Sequence, residues 1–144
     1  MPVVDKTAFV RHSCQKMFDL VNDFESYPQF LPGCKAARVL DQSDDFIVGE
    51  IILGKGGITQ AIATRNQLIA PERIDLSLVK GPFRSFTGYW TFTPEGEGCR
   101  VHLHIEFTFG NMLLGMAFGQ LFSQAAAQQV VSFTQRADQL YGVQ

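Results

Sequence analysis

His102 and His104 stand two residues apart in an alternating polar and apolar stretch, with Glu106 next on the same side. On a strand, residues i, i+2 and i+4 share a face, so the two imidazoles are placed to meet one metal ion. Only Glu106 follows them and no fourth ligand is evident, so the pattern reads as a solvated sheet face and no metal is expected. Cys14, Cys34 and Cys99 are odd in number and widely spaced, with neither C-x-x-C nor zinc spacing. They are expected to be free thiols of a reducing compartment, with Cys14 an inert thiol on the apolar face of a helix. Ser13 beside His12 is better used as a helix N-cap than as part of a triad. Gly54-Lys55-Gly56-Gly57 lacks phosphate-loop spacing and a following helix. No carboxylate pair suited to acid–base work stands out. These residues point away from an enzyme and require no cofactor.

What the composition offers instead is apolar surface. Phe supplies 13 residues, against 3 Tyr and 1 Trp, in a chain of 144. Phe has no polar handle, so this excess must line either a large apolar interior or an apolar ligand site. Twelve Lys and Arg against fourteen Asp and Glu leave a net charge of −2. That excludes broad phosphate tracking and a DNA partner, while leaving room for a local basic contact. Hydrophobic residues at 46% and charged residues at 18% are a globular balance. The length suits one domain, residues 1–144, able to bury a core without staples.

The elements that position these residues follow from periodicity. Residues 3–10 read as a strand. Ser13 caps a helix in which Cys14, Met17, Phe18 and Val21 share a face, and which ends near Asp23. Pro28 cannot extend it, so residues 27–34 form a short helical turn and loop. Period-two segments then occupy 36–42, 46–53, 58–69, 73–80, 85–93 and 100–109, separated by turn residues. Six strands in series predict an antiparallel meander. Ile74, Leu76 and Leu78, then Phe86, Gly88, Trp90 and Phe92, then Val101, Leu103, Ile105, Phe107 and Phe109 line one apolar, aromatic face. Gly88 would let this face bend, or leave space on it.

Residues 111–141 carry no proline and read as one long helix of about 45 Å. Leu114, Phe118, Leu121, Phe122, Ala125 and Gln129 form its stripe, continued by Phe133, Ala137 and Leu140. Met112, Leu113, Met116 and Ala117 lie off that stripe, so this end is either covered elsewhere or exposes an apolar patch. A curved sheet around such a helix encloses a space that the phenyl rings either fill or line. Small residues at Ala125, Ala126 and Ala127 would leave room for a guest.

At this point the motifs carry a resemblance. Residues 13–34, with the runs Met17-Phe18-Asp19-Leu20-Val21-Asn22-Asp23 and Tyr27-Pro28-Gln29-Phe30-Leu31-Pro32, resemble the coenzyme Q-binding START-type family. So do Leu78-Val79-Lys80-Gly81-Pro82-Phe83, Tyr89-Trp90-Thr91-Phe92-Thr93-Pro94 and Phe107-Thr108-Phe109-Gly110-Asn111-Met112-Leu113-Leu114. Gly33 departs from the pattern, since relatives often carry a bulky aromatic there. The family is similar to polyketide cyclase/dehydrase-like proteins. The resemblance implies an α+β helix-grip fold of the START/Bet v 1-like kind, with about seven antiparallel strands around a long C-terminal helix.

The resemblance also implies non-enzymatic binding of ubiquinone or a similar isoprenoid lipid in support of respiration. The cavity would be lined by Tyr27, Phe30, Leu31, Leu76, Leu78, Phe83, Phe86, Trp90, Phe107, Leu114, Phe118 and Phe122. A bacterial branch of the family, the ribosome association toxin, is described as binding the large ribosomal subunit and blocking subunit joining. The start of the chain has neither an apolar leader core nor transit-peptide character, which favours that branch and a cytoplasmic location. Lys35, Lys80 and Arg84 are candidate contacts to a quinone head or to ribosomal RNA, and the apolar start of the last helix could touch the inner membrane transiently. Quinone carriage is the leading expectation and ribosome binding the alternative.

Overall fold

The computed structural model describes residues 3–55 and 57–142. Gly56 of the glycine-rich turn and Met1 and Pro2 of the leader reading lie outside the described residues. The chain forms β1 (Val3–Val10), α1 (Cys14–Val21), a 3-10 turn (Phe24–Gln29), β2 (Cys34–Gln42), β3 (Phe46–Lys55), β4 (Ile58–Ile69), β5 (Arg73–Lys80), β6 (Phe83–Glu95), β7 (Gly98–Phe109) and α2 (Met112–Tyr141). The seven strands form one antiparallel sheet in the order β1-β7-β6-β5-β4-β3-β2. The meander from β2 to β7 is as expected, and β1 returns to pair with β7. Register shifts at Cys34/Ala36, Val39/Asp41, Ala63/Thr64 and Phe83/Ser85 insert bulges. Bulges increase local twist, which is how a sheet curls into a grip.

Local chemistry sets the helix ends. Ser13 Oγ accepts from the Lys16 N–H at 3.1 Å and starts α1. Pro28 sits inside the 3-10 turn, which follows α1 after a break at Asn22 and Asp23. Asn111 Oδ1 accepts from the Leu114 N–H at 2.8 Å and starts α2. The buried stripe of α2 is Phe118, Phe122, Ala126, Val130, Ser132, Phe133 and Ala137. It advances mostly in steps of four, so Ala126 and Val130 take the inward places expected of Ala125 and Gln129, and Leu140 is exposed.

Two expectations change. Cys14 and Cys99 are joined in a disulfide, with Cα atoms 5.2 Å apart, so neither is a free thiol and the cysteines do not argue for a reducing compartment. Their 85-residue separation hid the pairing, which exists because α1 packs on the start of β7. Cys34 is free and buried, and burial pushes its thiol pKa up. Gly88 leaves no vacancy, because a Cβ there would lie 2.7 Å from the His104 carbonyl oxygen. The glycine permits close approach to the β7 backbone instead.

Phe133 is fully buried and meets Tyr27, Phe30 and Trp90 at ring separations of 5.4, 5.3 and 5.5 Å. Phe133→Ala is expected to cost about 3–5 kcal/mol, read as a shift in the urea midpoint with an unchanged slope.

Candidate functional site

The space between sheet and α2 is mostly filled. A cavity of about 60 Å³ remains, bounded by Tyr27, Leu76, Phe86, Trp90 and Phe122, by Phe24, Gly49, Ile51, Ile62 and Ile105, and by Thr64, Asn66, Ala126 and Gln129. Pockets for drug-sized ligands run to roughly 300–1,000 Å³, so a quinone head with its tail does not fit this conformation. Three packing events close the space. The Phe24 ring lies on Gly49, whose missing Cβ makes its seat, and stacks on Tyr27 at 4.8 Å. Trp90 meets Phe133 edge-on. At the other end Phe83, Phe86, Phe107, Phe109, Phe118 and Phe122 form one cluster of rings 4.8–6.4 Å apart. Aromatic pairs of this geometry each contribute about 0.5–1.5 kcal/mol beyond their buried area.

The polar groups at the cavity are few. Thr64 Oγ1 donates to Asn66 Oδ1 at 2.7 Å, and Asn66 is 3% exposed. The Tyr27 hydroxyl donates to the Val21 carbonyl, and burial raises its pKa. It is therefore a neutral, structurally committed group.

The expected lining residues divide accordingly. Tyr27, Leu76, Phe86, Trp90 and Phe122 border the cavity. Phe83, Phe107 and Phe118 belong to the ring cluster, and Leu31 to the buried core. Phe30 packs beneath the Arg136 guanidinium, 5.2 Å from its ring centre. Leu78 is part-buried against the core and Leu114 is half-exposed at the start of α2. Phe24, Gly49, Ile51, Ile62, Thr64 and Asn66 were missed by sequence reasoning. Alternation along β3 and β4 was the signal that could have found all of these but Phe24, which the 3-10 turn delivers.

The surface is more open. A cleft of about 550 Å³ lies between the β2 entry loop and α2, lined by Pro32, Gly33, Lys35, Gly54, Leu121, Gln124, Ala125 and Gln128. Gly33 sits at φ 81°, where glycine is favoured, and a side chain there would point towards Leu121, 4.0 Å from the Cβ position. At the start of α2, Met112, Leu113 and Met116 are 80, 77 and 77% exposed. Arg84, Phe109, Met112 and Met116 border one groove there. The apolar end of α2 is thus an exposed patch beside a cation. Lys35 is exposed at the cleft.

Lys80 is differently placed. Glu50, Ala63 and Lys80 are cross-strand partners on β3, β4 and β5. Glu50 Oε2 lies 2.6 Å from Lys80 Nζ, and its Oε1 accepts from Arg38 Nε at 2.9 Å. The bridge covers Ala63, which is fully buried. Lys80 is half-committed to this bridge rather than offered freely to a partner.

Residues 10–134 match the family described as polyketide cyclase/dehydrase and lipid transport. The chain belongs to that family. It is 43% identical over 142 residues to the ribosome association toxin RatA of Escherichia coli K12, covering 98% of this chain and 90% of that one. It is 23% identical over 137 residues to the mitochondrial coenzyme Q-binding protein COQ10 homolog B of Xenopus laevis, covering 92% of this chain and 56% of that one. The solution structure of the 18 kDa protein CC1736 from Caulobacter crescentus superposes with a TM-score of 0.76 at 30% identity, covering 99% of this chain and all of that one. The helix-grip architecture expected from the sequence is therefore the fold of this chain. Among the described residues no helix is long and apolar enough to cross a membrane.

The Glu50 bridge gives a pH test. The hydrogen bond from Lys80, then that from Arg38, holds the Glu50 carboxyl below its usual range. A depressed folded-state pKa stabilises the fold above the unfolded value of about 4.3 and loses that contribution as pH falls through the folded one. Glu50→Gln should lower the urea midpoint at pH 7, and the gap to the parent should close as the pH is taken towards 3.

Proposed function

We propose that this protein is a non-enzymatic, cytoplasmic regulator that binds the large ribosomal subunit and hinders its joining with the small one. The observation that carries this reading is the filled interior, with about 60 Å³ free, set beside an exposed apolar helix end bordered by Arg84. Recognition is then a surface event. The 43% identity to a protein named a ribosome association toxin supports the same reading. A net charge of −2 favours a small contact, with Arg84 and Lys35 meeting phosphate and the methionines meeting protein or base faces.

A second reading rests on the Asn66–Thr64 pair, a polar handle in an apolar cavity, and on the adjoining open cleft. On that reading α2 lifts from the sheet to admit ubiquinone or another isoprenoid lipid, and the exposed end of α2 touches a membrane while loading. The family's lipid-transport description and the likeness to a coenzyme Q-binding protein support it. It requires the ring cluster to open, which the first reading does not. No cofactor is needed on either reading.

Sucrose-gradient profiles with added protein test the first reading. Free subunits should rise at the expense of joined ribosomes, and an unchanged ratio would overturn it. Arg84→Glu and the pair Met112→Ser/Met116→Ser should each weaken the effect at least about tenfold while changing the unfolding free energy from urea titration by less than about 0.5 kcal/mol, because these side chains are exposed. Native mass spectrometry of protein purified from its own host tests the second, which predicts a co-purifying quinone mass.

A further inference from the structure

The outer face of the sheet carries a cluster that neither the cavity nor the apolar patch uses. Asp5 on β1 is the register partner of His104 on β7, and His104 is the partner of Tyr89 on β6. Asp5 Oδ2 lies 2.7 Å from His104 Nδ1 and 3.0 Å from His102 Nε2. One ligand atom from each of the three lies within 4.8 Å of the others. We infer that Asp5, His102 and His104 form a site for one divalent transition-metal ion of the zinc class.

The geometry suits tetrahedral coordination. Metal–ligand bonds of about 2.0–2.1 Å place neighbouring ligand atoms about 3.3 Å apart. The Asp5–His104 and Asp5–His102 separations would widen by about 0.6 and 0.3 Å, the two imidazole nitrogens, within 4.8 Å of one another, would close to the same spacing, and all three side chains reach solvent. Both ring nitrogens now point at the same carboxylate oxygen, so each serves as a donor there. Metal binding replaces those two hydrogens, and the ring proton of each imidazole moves to its other nitrogen.

For His104 that other nitrogen, Nε2, is 3.3 Å from Glu106 Oε2. A carboxylate on the far side of a ligating imidazole fixes its tautomer and raises its basicity. Tyr89 stacks on His104 at 5.3 Å and 22°, meets His102 edge-on at 5.6 Å, and lies under the Arg73 guanidinium. The ring planes are therefore held before any ion arrives. Two imidazoles and one carboxylate select zinc, nickel, cobalt or copper over magnesium and calcium. Three protein ligands leave a fourth position to water or to a group from a partner. The ion would also fasten edge strand β1 to β7. Sequence reasoning found only the two histidines and Glu106, because Asp5 arrives from 97 residues away. This inference does not depend on the ribosome or the lipid reading.

The test is calorimetric titration of tag-free protein with zinc chloride, with cobalt absorption as a second readout. The parent should bind one ion per chain, and magnesium chloride should give no heat. Asp5→Asn and His104→Ala should each weaken binding at least about tenfold, Glu106→Gln by roughly tenfold at unchanged stoichiometry, and His102→Ala/His104→Ala should abolish it. Melting curves in chelator verify that each variant is folded. Failure of the parent to saturate below about 1 mM zinc, or equal affinity in Asp5→Asn or in the double variant, would overturn the assignment.

Discussion

Everything in this molecule depends on α2 lying in the concave side of one continuous sheet. Strands β5 to β7 present Ile74, Trp90, Phe92, Val101, Leu103 and Phe107 inward, and no sheet can leave such a face in water. Phe118, Phe122, Ala126, Val130, Phe133 and Ala137 cover it. The small residues let the helix approach the sheet, and the rings between them interlock with the rings below. The 3-10 turn adds Phe24 and Tyr27 as a third wall. At the other end, His12 Nε2 lies 2.7 Å from Asp138 Oδ1 and ties the β1–α1 junction to the last turns of α2.

That constraint decides where function can sit. A helix-grip fold can keep its grip open or close it with side chains. Here Phe24 on Gly49 and the six-ring cluster around Phe122 close it. Carriage of a large guest would break many ring contacts at once, whereas surface binding breaks none. The first turns of α2 contribute Met112, Leu113 and Met116 to no core at all. On the proposed reading these exposed apolar residues are the contact surface.

Much of this was legible in the sequence. Strict alternation in β5, β6 and β7 assigned the inward face correctly, and Ser13 fixed the start of α1. The family motifs at Tyr27–Pro32 and Leu78–Phe83 carried the helix-grip fold. What could not be read was long-range. The Cys14–Cys99 disulfide, the Asp5 partner of the histidines and the pairing of β1 with β7 join residues at opposite ends of the chain. The state of the cavity was also beyond the sequence, because thirteen phenylalanines are the same composition whether they line a space or fill it. The difference lies in Gly49, a glycine inside β3 whose missing Cβ makes the seat of the Phe24 ring. Lys80 looked like a free cation for the same reason, since its tie to Glu50 spans two strands.

On the proposed reading, activity resides on the outside of a closed grip. The most direct measurement is a subunit-joining assay with protein stripped of lipid by solvent extraction and refolding, run with and without added ubiquinone. The stripped chain should hinder joining at the same concentration as the native one, and added quinone should change nothing. Loss of the effect on stripping, with recovery on adding quinone, would contradict the claim and place a guest inside the grip.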